Sequence, residues 1–171
     1  MMPLPAATSN PRTTGPRRLD GILGMLLLIV ASPLIVAAIA LHLLAGLCLN
    51  VAAWCCWCAR GRYVLFVYSN SPIWQAYVEE HVLPRLGDRA VVLNWSERSR
   101  WRHTLPVLAF RYFGGSREFN PMAVVFRPFR FAHRVRFYEP FREFKHGKHE
   151  TVTTLTEELF ALLDGHGRET D

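Results

Sequence analysis

The chain has 171 residues, half of them hydrophobic and a fifth charged, with a formal net charge of +6. That length suits one domain with an appendage. All four cysteines lie within residues 48–58, which excludes a disulfide framework or a cysteine redox centre in the rest of the chain.

Residues 1–20 are expected to be a disordered basic N-terminus. Residues 22–59 contain no Asp, Glu, Lys or Arg. This run is nearly twice the roughly 20 residues that cross a bilayer as a helix, so residues 21–59 are read as a membrane segment. It is also too long for the core of a signal peptide. Arg12, Arg17 and Arg18 precede it, and Arg60 and Arg62 follow it. Positive flanks mark the cytoplasmic face. Two forms compete, a single spanning helix from about Ile22 to Leu44 and a re-entrant hairpin broken near Pro33. Trp54 and Trp57 suit the head-group region. Cys55, Cys56 and Cys58 lack the paired spacing of a metal site and read as small apolar residues at an interface. His42, the one ionisable side chain inside the span, reads as bonded to a backbone carbonyl.

The stretch RRLDGILGMLLLIVASPLIVAAIAL resembles the membrane helix-break-helix that opens bacterial monotopic phosphoglycosyl transferases, with Arg18, Asp20, Ser32 and Pro33 at matching places. The resemblance covers about 25 residues. It implies an anchor geometry but not the chemistry, because that family's catalytic Asp-Glu pair has no counterpart in a chain without any Asp-Glu dipeptide.

Residues 60–165 read as one soluble domain, with 166–171 as a tail. RYVLFVYS is a nearly continuous apolar run, as expected of a strand covered on both faces. Pro72 suits the first position of a helix capped by Ser71 or Ser69, with Ile73, Trp74, Tyr77, Val78, Val82 and Leu83 at helical spacing. RAVVLNW is a second strand, and TLPVLAFRYF a second helix stopped by Gly114-Gly115. NPMAVVFRP is a third strand. RVRFYEPF alternates, Val135 and Phe137 one way and Arg134 and Arg136 the other, as a fourth strand whose charged face discourages edge pairing. The short connection between these two strands predicts an antiparallel hairpin. In the last helix, ETVTTLTEELFALLDG, Val152, Leu155, Leu159, Leu162 and Leu163 form one stripe, closed by Gly165.

The order βαβαββα, with Asn120-Pro121 just before the third strand and Phe126 five residues on, is similar to the thioredoxin fold. The resemblance covers residues 62–165 and implies an α/β domain. Where the redox members carry Cys-Gly-Pro-Cys, this chain has Asn70-Ser71-Pro72-Ile73. A thiolate is the nucleophile of disulfide exchange, so the resemblance implies the shape of that site without its chemistry. It also gathers Ser69, Asn70, Ser71, Trp74, Asn94, Trp95, Ser96, Asn120 and Pro121 as ligand-binding candidates. The alternative is that Ser and Asn there are ordinary caps and turn formers.

Charge is segregated. Residues 85–148 hold fourteen Arg or Lys against five acids, whereas residues 149–171 hold six acids against Arg168. Arg98, Arg100, Trp101 and Arg102 interleave basic and aromatic side chains. Such a pattern can bind nucleic acid, but beside a membrane anchor anionic head groups are the more natural partner. FRPFRFAHRVRFYEPFREFKHGKH has the same character and reads as core phenylalanines beside an exposed basic edge. His146 and His149 need not share a face, and neither a metal nor another cofactor is expected.

These readings predict a membrane-anchored, redox-inactive binding or accessory module, with its soluble domain on the cytoplasmic side of the inner membrane. Its partners would be the anionic bilayer and a membrane protein. One alternative is an enzyme or enzyme subunit of envelope glycan or phosphoglycosyl transfer. Another is a thiol oxidoreductase using Cys55, Cys56 or Cys58, which lie outside the site turn.

Overall fold

The computed structural model describes residues 17–115, 120–144 and 150–167. The chain divides into two compact units, Met1–Leu43 and Leu44–Asp171.

Helix α1 covers Arg17–Cys56 and is continuous through Pro33. In the first unit its described side chains are exposed or half-exposed, including Ile29, Val30, Leu34, Ile35, Val36 and Ile39. Among the described residues one helical stretch, Ile29–Arg60, is long and apolar enough to cross a bilayer, with a mean hydropathy of 2.4. Proline inside a helix removes the bond that its own N–H would give to the carbonyl four residues back. For Pro33 that carbonyl belongs to Ile29, and the Ser32 hydroxyl donates to it at 3.0 Å. The Ser-Pro pair therefore supplies its own substitute bond, so helical structure continues where a break was one of the two expected forms.

The second unit begins with the last turns of α1. Gly46, Asn50 and Ala53 are buried there, as is Trp57 just beyond the helix, at spacings of four, three and four that keep them on one face. Trp57 is a core residue, 7% exposed, rather than a head-group residue. Its ring meets Phe126 edge-on at 5.3 Å. After a short 3-10 turn, Cys58–Arg60, strand β1 (Val64–Tyr68) is buried along its whole length.

The segment after β1 is helical in three pieces: α2 (Gln75–Tyr77), a π-helical turn (Val78–Val82) and α3 (Leu83–Leu86). Strand β2 (Ala90–Asn94) is followed by a 3-10 stretch, Trp95–Arg100, and by α4 (Leu105–Phe113). Strands β3 (Met122–Val125) and β4 (His133–Arg136) come next, then α5 (Tyr138–Phe144) and α6 (Glu150–Gly167).

The four strands form one mixed sheet in the order β2-β1-β3-β4. β1 pairs parallel to β2, with Val64 level with Ala90, and antiparallel to β3, with Val67 level with Met122. β3 and β4 are antiparallel, as the short connection predicted. The peptide bond between Asn120 and Pro121, at the entry to β3, is cis.

Alternation along the strands divides the core in two. Val64, Phe66, Val125, Val135 and Phe137 pack with Val78, Val82, Leu86, Phe141, Val152, Leu159 and Leu163. Leu65, Val67, Met122, Val124 and Phe126 pack with Ala53, Trp57, Cys58, Ala109 and Phe110. Helices thus cover both faces of the sheet, which is why β1 reads as a continuous apolar run.

Several expected boundaries move. The helical segment after β1 starts at Gln75 rather than at Pro72, and neither Ser69 nor Ser71 is its cap. The fourth strand ends at Arg136, and the residues after Phe137 turn into α5, where Phe141 N–H donates to the Phe137 carbonyl at 2.9 Å. α6 does not stop at Gly165 but runs to Gly167.

Candidate functional site

Because β1 and β2 are parallel, the turns that follow them lie side by side at one end of the sheet. A small hydrogen-bond network ties these turns together. Asn94 Nδ2 donates to Asn70 Oδ1 at 2.7 Å, Asn70 N–H to Ser96 Oγ at 3.0 Å, and Ser96 N–H to Asn94 Oδ1 at 2.9 Å. The third of these bonds caps the 3-10 stretch.

The turn from Ser69 to Gln75 is similarly self-contained. Ser71 N–H donates to the Ser69 carbonyl, while Trp74 and Gln75 N–H both donate to the Ser71 carbonyl. Ile73 N–H donates to Ser71 Oγ at 3.4 Å. The backbone N–H groups of Ser71, Ile73, Trp74 and Gln75 are therefore engaged within the turn. β-register brings the other candidates to the same end. Met122 is level with Val67, so Pro121 and Asn120 enter the sheet beside the end of β1. The Pro121 carbonyl accepts from Phe137 N–H at 3.0 Å. Asn120 is buried, and its Oδ1 has no hydrogen-bond partner among the described residues.

The two candidate tryptophans do not share a site. Trp74 packs toward Phe141, 6.1 Å between ring centres, in the core that faces α6. Trp95 belongs to the opposite core, edge-on to Phe110 at 5.6 Å. Trp101 joins Trp95 and Phe110 at 5.6 and 5.7 Å, so its ring is committed to packing and is only half exposed. Arg98, Arg100 and Arg102 are exposed. The Arg98 guanidinium stands 5.0 Å from the centre of the Trp95 ring.

Beside this turn, Tyr68 Oη donates to Glu79 Oε1 at 3.3 Å, and Gln75 Nε2 donates to the same oxygen at 3.1 Å. Burial, and then the Glu79 carboxylate, push the Tyr68 phenol above its ordinary value. Cys58 is buried, with its Sγ 3.7 Å from the Phe126 carbonyl, whereas Cys48, Cys55 and Cys56 are exposed. Among the described residues no three His, Cys, Asp or Glu side chains gather as metal ligands; His146 and His149 lie outside those residues. A shallow depression lined by Pro140, Thr151, Leu155 and Glu158 lies on α5 and α6 rather than at the turn.

Chemically, the turn offers amides and hydroxyls that bond one another. It supplies neither a nucleophile of lowered pKa nor a paired acid and base, the groups that covalent and proton-transfer catalysis need.

No protein-family model matches the chain, and neither a curated protein nor a solved structure does.

Three features escaped the sequence. Asn50 is 1% exposed and donates through Nδ2 to the Arg130 carbonyl at 3.1 Å; a lone Asn in an apolar run was the available signal. Phe129 and Phe131 were expected in the core and are exposed. The third is charge pairing between distant segments: Arg85 meets Glu157 at 2.5 Å and Arg89 meets Asp164 at 2.9 Å.

Proposed function

We propose that the protein is a membrane-anchored, redox-inactive binding or accessory module. Its domain is thioredoxin-like, stands on the cytoplasmic side of the inner membrane, and turns an arginine-rich surface toward anionic lipid or an acidic partner. The strand order β2-β1-β3-β4, with β3 antiparallel to its neighbours, supports the fold. So does Pro121 at the entry to β3, beside the turn after β1. The exposed apolar part of α1 supports the anchor, since residues 21–45 as a helix measure about 38 Å against a hydrocarbon core of about 30 Å.

The observation that carries the function is the Asn70–Asn94–Ser96 network. Asn70, which the thioredoxin resemblance aligns with the first reactive cysteine, is a neutral group already bonded to Asn94 and Ser96, and residues 59–171 contain no cysteine to substitute. A surface of this kind can position a partner but cannot exchange electrons with it.

Three measurements on the full chain test this. Washing membranes with alkaline carbonate should leave the protein in the pellet, and its release would remove the anchor. Insulin reduction in the presence of dithiothreitol should proceed at the protein-free rate; a faster rate abolished by replacing Cys55, Cys56 and Cys58 with Ser would overturn redox inactivity. In neutral detergent, short-chain phosphatidylglycerol should raise the thermal midpoint more than phosphatidylcholine does. Replacing Arg98, Arg100 and Arg102 with Ala should lower that difference, and equal shifts from the two lipids in the unaltered chain would reject the anionic surface.

A further inference from the structure

The connection between β3 and β4 exposes two large apolar rings. Phe129 is 92% exposed and Phe131 79%, more than any other large apolar side chain among the described residues. Phe129 also has a φ of 59°, in the left-handed region that a residue with a bulky side chain rarely occupies. An exposed ring on an unfavourable backbone gains little burial from the fold, which points to a benefit from something outside it.

The loop is not free to wander. The buried Asn50 side chain holds the Arg130 carbonyl, and the Phe129 ring stands 5.9 Å from Trp54. Both anchoring residues belong to the last turns of α1. Leu44, Leu47 and Val51, exposed on the same turns, precede Trp54 at spacings of three, four and three. They make one apolar stripe that ends at Phe129. The charge around the rings has a single sign: residues 127–136 contain four arginines and no acid. Arg130 is exposed, and Arg127 Nε is buried without a hydrogen-bond partner among the described residues.

We infer that the 127–132 loop is a membrane-interfacial wedge, which sinks Phe129 and Phe131 among the acyl chains of an anionic bilayer while Arg127 and Arg130 meet its phosphates. A stripe of apolar side chains next to cationic ones is the pattern that binds the boundary between head groups and chains, and each arginine adds attraction to an anionic leaflet. Leu44, Leu47, Val51 and Trp54 belong to the same uncharged run, residues 22–59, that the anchor reading assigns to lipid, and the charge beside the rings is purely cationic; both select an anionic lipid surface over a protein partner. The inference rests on the membrane-anchored reading above, and it moves the aromatic contact with lipid from Trp101, whose ring is packed, to the β3–β4 loop.

The test places the photo-crosslinking analogue p-benzoylphenylalanine singly at 129, 131, 36 or 158 in the full chain, reconstituted in nanodiscs of phosphatidylcholine with a quarter phosphatidylglycerol. Val36, Phe129, Phe131 and Glu158 are all exposed, so the substitutions leave the core untouched. Lipid adducts are expected at 129, 131 and 36, with none at 158, and a several-fold lower yield at 129 and 131 in pure phosphatidylcholine. Adducts at 36 alone would overturn the wedge and leave the anchor standing. Adducts at 129 and 131 without one at 36 would support the wedge and overturn the anchor. Adducts from 129 or 131 to protein, whether another chain or a second copy, would overturn the wedge, as would equal yields in the two lipid compositions.

Discussion

Ser32 and Pro33 form one unit in α1. The hydroxyl of the first donates to the Ile29 carbonyl that the second leaves without an amide. In lipid no water is at hand to take that role. Ser32→Ala should therefore cost about 1 kcal/mol, the usual net worth of one hydrogen bond, whereas the same change made with Pro33→Ala should cost almost nothing. Thermal unfolding of the full chain and its three variants in detergent measures the coupling. Tyr68 gives a second expectation at this scale. Burial and Glu79 raise its phenol above the ordinary value in the folded chain, so in the unfolded chain it ionises first as pH climbs. The contribution of Tyr68 to stability is full below about pH 10 and declines as pH rises through the folded value. Tyr68→Phe should flatten that alkaline decline, as read from unfolding midpoints across the range. The uncharged character of the turn after β1 was legible in the residue types alone. What those types could not reveal is that Asn70, Asn94 and Ser96 satisfy one another, because a hydrogen-bond partner from another strand is set by register.

The elements were legible where a pattern is long and pure. The alternation of β4 and the stripe of α6 each carry a period that one buried face imposes, and the unbroken apolar run of β1 reflects burial on both faces. α5 was missed because the alternation of β4 continues into RFYEPF. A period of two and the four-residue spacing of Phe137 and Phe141 cannot be separated over so few positions. The exposure of Phe129 and Phe131 was hidden for another reason: hydrophobicity predicts burial only when no external apolar phase competes for the side chain. Where α1 meets α4, close approach depends on Gly46. A Cβ there would run into the Tyr112 ring. Gly46→Val should destabilise the unit by about 1–3 kcal/mol through overpacking, and Tyr112→Ala in the same chain should recover part of the loss, again by thermal unfolding. A proline or a shortened run could have flagged the end of the lipid-like segment. Instead the helix stays apolar while its surroundings change, and only the burial of Gly46, Asn50, Ala53 and Trp57 marks the transition.

For the molecule as a whole, linear charge segregation overstated the basic character of the surface. The acids of α6 fold back onto Arg85 and Arg89, at the start of the basic block. The hydrogen bond from Arg85 holds the Glu157 carboxyl below its usual range. Exposed pairs of this kind add little stability, but they decide where positive potential remains, on Arg98, Arg100 and Arg102 and around the β3–β4 loop. Pairing across more than seventy positions leaves no local mark that composition could register. Cys58 extends the consequence of the fold to kinetics. It is sealed between the end of α1 and β3, while the other three cysteines stay accessible. Alkylation of the full chain in detergent, followed by intact mass, should give three rapid additions and a fourth that waits for the packing to open. The lag before that last addition would time the separation of the helix from the sheet without any engineered label, and four simultaneous additions would mean that the thiol is never shut away.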